Sequence, residues 1–332
     1  MAAEWSEPTT VRAKRPRRRW PRRVGLTLLV VLVVLAAYGI GLYFWAGSRL
    51  QTTDAFSDYD GRPAAGAGTN WLLVGSDSRE NVTPEQRKDL HVGNDEGNRT
   101  DTIMVLHYGD NGPYLVSIPR DSYVSIPGYG QNKINYAYSV GGAKLLTQTV
   151  EQSTGLRMDH YAEVSFLGLV DVVDSLGGVE ICVADGGLHD EKSGADFDAG
   201  CQTMNGTQAL QYARARYSDP TGDLGRVKRQ QDLVDAIAHK ALSLRVLVPP
   251  WRLIPFMSAS LDALTVDKDT GVGALANMGV KMSDPASTTT VPVGSEPDVS
   301  GVGDVVMWNE SEADQLFTAL REDKAIPTFD GN

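Results

Sequence analysis

The chain is poor in the residues from which most hydrolytic sites and metal centres are built. Its 332 residues include only five histidines, scattered along the sequence, and two cysteines. GxSxG, HExxH and GxxxxGK[ST] are all absent. A nucleophile-elbow hydrolase, a zinc protease and a P-loop nucleotide site are therefore excluded at the level of motif. Two cysteines are too few for a disulfide-dense scaffold, and no CxxC suggests zinc. Basic residues are also in deficit, with 31 Lys and Arg against 42 Asp and Glu and a net charge of -11. That balance excludes a nucleic-acid binder acting through the whole chain. The exception is residues 1–23, where eight basic residues meet only Glu4 and Glu7, so the rest of the chain carries a net -17.

Directly after that basic stretch, Val24 to Trp45 runs for 22 residues without a charge. A helix of that length spans a hydrocarbon core of roughly 30 Å. Tyr38, Tyr43, Phe44 and Trp45 gather at its far end, where aromatic rings favour the membrane interface. The positive-inside rule predicts a cytoplasmic N-terminus and an extracellular remainder. A cleaved signal peptide is the rival reading, but its apolar region is normally shorter and ends in a small-residue cleavage site, which FWAGS fits poorly. The expected plan is a basic cytoplasmic tail (1–23), a transmembrane signal-anchor helix (24–45), a flexible extracellular linker (46–68), one folded domain (69–322) and a C-terminal tail (323–332). The linker expectation rests on Gly, Ala, Ser and Asp with little apolar material.

Within the domain, 69–75, 102–108 and 113–119 are short β-branched and aromatic runs bounded by turn residues, which predicts buried strands. Asp110, Asn111 and Gly112 suggest a hairpin between the second and third. Helices are predicted at 142–154, 163–176, 208–216 and 227–242, and a strand at 179–183. The second helix has Val164, Leu167 and Val170 on one face, lining either a groove or the core, and Gly177–Gly178 as its stop. Asn309 with Glu312 signals a cap for a last helix to about Arg321. This order predicts an α/β domain, a mixed central sheet covered by helices. Cys182 and Cys201, 19 apart in a region expected to face an oxidising exterior, are either a bridge or two free thiols.

The chemistry sits in basic clusters at strand ends and loops, five bearing arginine and QNKIN bearing lysine: GSDSR (75–79), NRTD (98–101), IPRD (118–121), QNKIN (131–135), YARAR (212–216) and GDLGRVKRQQ (222–231). A single arginine is ordinarily a surface ion pair. Six such clusters in an acidic domain point instead to anion binding, because the guanidinium fork gives phosphate two parallel hydrogen bonds and keeps its proton. Arg214 and Arg216 converge only where a helix ends, and Asp219, Pro220 and Gly222 make such an end plausible. Asp77 and Asp101 are either turn residues or ligands of a hard cation such as Mg²⁺.

In this order, GSDSR, RTDTIMVL, VSIPRDSYVSIPG, KINYAYS, GGV, MNGTQALQYARAR and DLGRVKRQQ resemble the LytR-CpsA-Psr (LCP) family of cell-envelope phosphotransferases. The resemblance covers Thr69 to Leu242 strongly. It implies an LCP-type α/β/α domain that moves a glycosyl phosphate from a polyprenyl-pyrophosphate-linked glycan to a peptidoglycan acceptor, beside the bilayer and with no nucleic-acid partner. The cargo is a glycopolymer such as teichoic acid or arabinogalactan. It implies Asp77 and Asp101 as ligands of Mg²⁺ or Mn²⁺. Arg99, Arg120, Lys133, Arg214, Arg216, Arg226 and Gln230 would hold the pyrophosphate. Arg79, Asp121, Asp223 and Arg229 would be secondary members. Asp101 is also the candidate base, a role that metal coordination opposes by lowering its basicity. A lipid-pyrophosphate hydrolase and a non-catalytic lipid-binding envelope protein fit the same residues.

Overall fold

In a computed structural model the chain is described over residues 20–76, 100–216, 223–283 and 287–329, with the backbone alone at a few positions, Asp101 and Asp223 among them. It divides into two units, Met1–Trp45 and Ala46–Asn332. The first is dominated by α1 (Trp20–Arg49), which continues four residues into the second. Val24–Arg49 is long and apolar enough to cross a membrane, with a mean hydropathy of 2.5.

The second unit is built on a seven-stranded mixed sheet in the order β1-β12-β7-β2-β3-β4-β13. These are β1 (Gln51–Thr53), β2 (Thr69–Ser76), β3 (Thr100–Tyr108), β4 (Tyr114–Ile118), β7 (His160–Ser165), β12 (Leu264–Asp267) and β13 (Ser287–Thr290). The central pairs β2–β3 and β3–β4 are antiparallel, whereas β2–β7 and β4–β13 are parallel. The two-residue side-chain period assigns the core. Leu72, Val74, Ile103, Val105 and Val116 point to one face, and Trp71, Leu73, Met104, Leu106 and Leu115 to the other. A sheet apolar on both faces needs cover on both. Helices α2 (Ile134–Thr154) and α9 (Glu310–Arg321) cover the first through Ile134, Leu146, Val150, Leu316 and Leu320. Helices α5 (Asp223–Ala241) and α8 (Val272–Met282) meet the second through Val234, Leu275 and Met278.

A further apolar cluster joins α3 (Phe166–Ser175), α4 (Gly206–Arg214) and α5 to the hairpin of β8 (Val179–Val183) and β11 (Gly200–Met204). Cys182 and Cys201 face each other across that hairpin and form a disulfide. A small hairpin, β9 (Leu188–Asp190) with β10 (Ala195–Phe197), shares this cluster, and another, β5 (Tyr123–Ile126) with β6 (Gly130–Lys133), packs on α2. A single turn α6 (Leu244–Leu247) leads into α7 (Pro250–Ala263), which packs on α3.

Three sequence expectations are corrected. Residues 46–68 are not a free tether: β1 pairs with β12, Ala55 is 1% exposed in the core, and Arg62 forms an ion pair with buried Glu151. The stretch is short of large apolar residues because pairing and one ion pair hold it. The helix expected at 163–176 begins only at Phe166, since 160–165 is β7, whose alternation HYAEVS was overlooked beside the apolar run that follows. The helix expected from Gly142 is the second part of α2: helical turns already begin at Ile134, and the chain kinks at Gly142, whose φ of 60 and ψ of -156 are non-helical and suit glycine. The C-terminal stretch is also tied down: Asp323 accepts from the backbone N–H groups of Asp110 and Asn111, and Ile326 and Phe329 pack against the core.

Candidate functional site

Helices α4 and α5 carry their functional residues at helical spacing. On α4, Leu210, Ala213 and Arg214 share a face; on α5, Arg226, Gln230, Leu233 and Val234 do so. All seven line one cavity of about 170 Å³. Arg214 ends α4 and Arg226 lies in the first turn of α5, so both guanidiniums sit at the end of the helix pair where the chain passes from one to the other. Leu233 and Val234 lie about two helical turns further along, roughly 11 Å. The cavity is thus cationic toward that end and apolar away from it. The rest of its wall is mostly apolar, including Leu73 and Met104 of the sheet, Ala162 and Val164 of β7, Leu169 of α3, Leu264 of β12, and Met278 and Met282 of α8. Thr102 and Ser165 add two hydroxyls. Arg226 is only 5% exposed, so its charge acts where water screens it weakly.

The end of α4 is fixed by two contacts. Ala215 leaves helical geometry at φ -58, ψ 132, and buried Arg229 donates to its carbonyl at 2.6 Å. The Arg216 backbone N–H donates to Asp190 at 2.6 Å. Arg229 therefore positions the Arg214–Arg216 turn and does not line the cavity. Between the two helices, burial raises the Asp232 carboxyl of α5 above its ordinary value and pushes the Tyr212 hydroxyl of α4 up to about 12.

Arg120, Asp121 and Lys133 form a separate group outside the cavity wall. Asp121 accepts from Lys133 Nζ at 3.0 Å and from Arg120 Nε at 3.4 Å. The turn that carries them is held by backbone bonds from Val306 to Asp121 and from Asn135 to Arg120. The structure thus brings Arg214, Arg226 and Gln230 together and gathers Arg120, Lys133 and Asp121 elsewhere, with α5 linked back to β4 by Gln231 donating to Ser117.

Asp77, Arg79 and Arg99 lie outside the described residues, as do the side chains of Asp101 and Asp223. The backbone that flanks them is informative. Gly75 pairs with Thr102, Ser76 with Thr100, and the register shifts between them, which leaves Asp101 at a β-bulge beside the cavity residues Gly75 and Thr102. Thr100 secures the bulge by donating to the Gly75 and Thr102 carbonyls. Ser76 Oγ is buried there with no hydrogen-bond partner among the described residues, an oxygen of the kind a hard cation accepts. Asp77, next to Ser76 in sequence, and Asp101 carry carboxylates, and carboxylate and hydroxyl oxygens are the donor types that Mg²⁺ takes. Among the described residues no group of three His, Cys, Asp or Glu side chains is gathered for a metal.

Sequence reasoning missed the sheet's share of the site and α8 altogether. Met278 and Met282 at i and i+4 were the available signal for α8. Of the helix face expected to line a groove or the core, Val164 lines the cavity from β7, while Leu167 and Val170 pack against Leu210.

Comparison with known proteins finds relatives of cell wall assembly. "Probable cell wall biosynthesis protein LcpB" of Corynebacterium glutamicum is 44% identical over 300 residues, which cover 90% of this chain and 69% of that protein. "Polyisoprenyl-teichoic acid--peptidoglycan teichoic acid transferase TagU" of Enterococcus faecalis is 41% identical over 176 residues, 52% of this chain and 54% of its own length. Among solved structures, a LytR-Csp2A-Psr enzyme from Actinomyces oris superposes with a TM-score of 0.63 at 20% identity, covering 82% of this chain and 96% of that one, a likeness of fold. The LytR_cpsA_psr family model matches residues 48–322, beginning before the expected linker ends, and the chain belongs to that family.

Proposed function

We propose that this protein transfers a glycosyl phosphate from a polyprenyl-pyrophosphate-linked glycan to peptidoglycan, with its folded unit outside the cell and α1 as the anchor. The observation that carries the reading is the cavity itself: an apolar wall for an isoprenoid chain, ending in Arg214, Arg226 and Gln230. The names of LcpB and TagU, one a cell wall biosynthesis protein and the other a transferase of teichoic acid to peptidoglycan, support the same class of reaction.

In this reading the acceptor hydroxyl attacks the phosphorus next to the sugar and releases its proton to solvent. The bond from that phosphorus to the bridging oxygen breaks, and polyprenyl phosphate leaves with the electron pair. Negative charge grows on the bridging and equatorial oxygens, and guanidiniums fixed in a weakly screened site stabilise it without reorganising. Arg214 and Arg226 contact the pyrophosphate, with Gln230 as a neutral donor. Arg99, Arg120, Lys133 and Arg216 supply further positive charge. Asp77 and Asp101 would hold Mg²⁺, which supplies charge neutralisation at phosphate oxygens when bound. Arg229 keeps the Arg214–Arg216 turn in place, and Asp121 holds Arg120 and Lys133 in a fixed geometry.

The test uses purified protein, Mg²⁺, a synthetic glycosyl-pyrophosphoryl-polyprenol and a short peptidoglycan acceptor, read by mass spectrometry. The expected product is acceptor plus sugar phosphate. Arg226→Ala should lower its formation by about 10²–10³-fold, the usual cost of removing one donor to a developing anion. Free sugar phosphate without the adduct would instead identify a hydrolase.

A further inference from the structure

The folded unit carries a net charge of -17, yet Ala236 to Leu261 contains no Asp or Glu and includes Lys240, Arg245 and Arg252. This stretch, the end of α5 with α6 and most of α7, also holds large apolar side chains that the fold leaves in water. Leu244 is 76% exposed, Val248 69% and Trp251 77%. All three fall within the short stretch where α6 ends and α7 begins. Val246 is buried at 3% and Phe256 packs on the core, so the segment is docked on the domain by its other side. An outward face of this kind, apolar with a tryptophan and flanked by arginines, has the composition of a segment that lies in a lipid interface.

Its attachment supports the same partner. At the far end of α7, Asp262 accepts from Arg49 Nη2 at 2.7 Å and its carbonyl from Gln51 Nε2 at 3.0 Å. Arg49 follows the aromatic end of the apolar run, Trp45, by four residues. A helix of 14 residues is about 21 Å long, so the exposed face begins within about that distance of Asp262 at the far end of α7. The next residue after α7, Leu264, begins β12 and lines the cavity.

We infer that α6 and the first turns of α7 form a second membrane contact, which seats the folded unit on the surface of an anionic bilayer. The inference rests on the reading of α1 as a membrane anchor. Lipid immersion removes Leu244, Val248 and Trp251 from water while Arg245 and Arg252 meet anionic headgroups. It also holds the cavity, whose wall continues directly from α7, close to the membrane that contains the proposed donor.

The test is lipid photo-crosslinking of the full chain in nanodiscs containing phosphatidylglycerol, with p-benzoylphenylalanine at one position at a time. Trp251 and Val248 are the probes. Asp298, exposed in an acidic hairpin with Asp304, is the folded-unit control, and Val34 in α1 reports the anchor independently. The expected result is at least fivefold more lipid adduct from positions 251 and 248 than from 298, falling when Arg245 and Arg252 are both replaced by glutamate. Equal yields at 251, 248 and 298 would overturn the inference, and so would crosslinks from 251 to a second copy of the chain in place of lipid. Strong labelling at 34 with none at 251 would refute the second contact and leave the anchor standing. Labelling at 251 without labelling at 34 would refute the anchor and leave the surface contact supported.

Discussion

Glu151 is a carboxylate with 1% side-chain exposure, buried in the last turn of α2 beside Val150. It survives there because every part of it is used: Arg62 makes a two-point contact with it, Tyr59 donates at 2.9 Å and the Met158 backbone N–H at 3.0 Å. Glu151→Ala strands a guanidinium that is itself only 11% exposed, and should cost about 3–5 kcal/mol in urea unfolding. Glu151→Gln, which keeps the acceptor oxygen, should cost less. His107 tests pH dependence. Burial holds it below its ordinary value of 6.5, against the opposing pull of Asp323, and its ring contacts Asn70 at 2.7 Å and Asp323 at 3.3 Å. Above 6.5 the ring is neutral in both states, so its contribution to stability is complete. As pH falls below that value the unfolded chain binds a proton that the folded ring resists, and stability drops. Unfolding midpoints measured at about pH 7.5 and about pH 5.5 should therefore diverge less in His107→Gln than in the parent chain.

Between elements, close approach matters more than residue chemistry. Gly168 on α3 meets the end of α7 so closely that a Cβ there would lie 2.5 Å from the Ala263 Cβ and 2.7 Å from its Cα. Gly168→Ala must push the two helices apart. It should cost about 1–3 kcal/mol and, because Leu169 and Leu264 line the cavity on either side of this crossing, raise the KM for the lipid donor more than it lowers kcat. The β8–β11 hairpin is closed by Cys182–Cys201 across 19 residues of sequence. Replacing both with alanine should lower stability by about 3 kcal/mol, read from the unfolding midpoint with and without reductant. The same scale shows what could be read from sequence. The central strands were legible because each buries both faces and so runs apolar, and the last helix because Asn309 caps it through the Glu312 N–H. β1, β12 and β13 were not, since three- or four-residue strands such as QTT and STTT gain their identity from the neighbour they pair with. The basic residues could be named from their motifs, but their division into a cavity group on α4 and α5 and an Asp121 group of Arg120 and Lys133 depends on packing between segments distant in sequence.

At the scale of the whole molecule, the two units divide stability from delivery. Every buried apolar cluster lies in Ala46–Asn332, and the family match begins at residue 48. A chain cut to residues 46–332 should therefore unfold at the same denaturant midpoint as the complete protein, since among the described residues every member of those clusters lies in the second unit. Transfer should respond differently. An anchor confines the cavity to the layer that holds a lipid-linked donor, and turns a search through solution into one at high effective concentration, worth about 10²–10⁴-fold for a short tether. The membrane contact proposed for α6 and α7 would supply part of that confinement without α1. Loss of residues 1–45 should then reduce transfer from a vesicle-embedded donor by less than the full tether effect, roughly 10–100-fold, and leave transfer from a short-chain, water-soluble donor unchanged. Adding Trp251→Asp and Val248→Asp to the truncated chain should remove the remainder on vesicles alone. A truncated chain that works equally well on both donors would show that neither contact delivers substrate, and that the apolar run serves only to retain the protein at the cell surface.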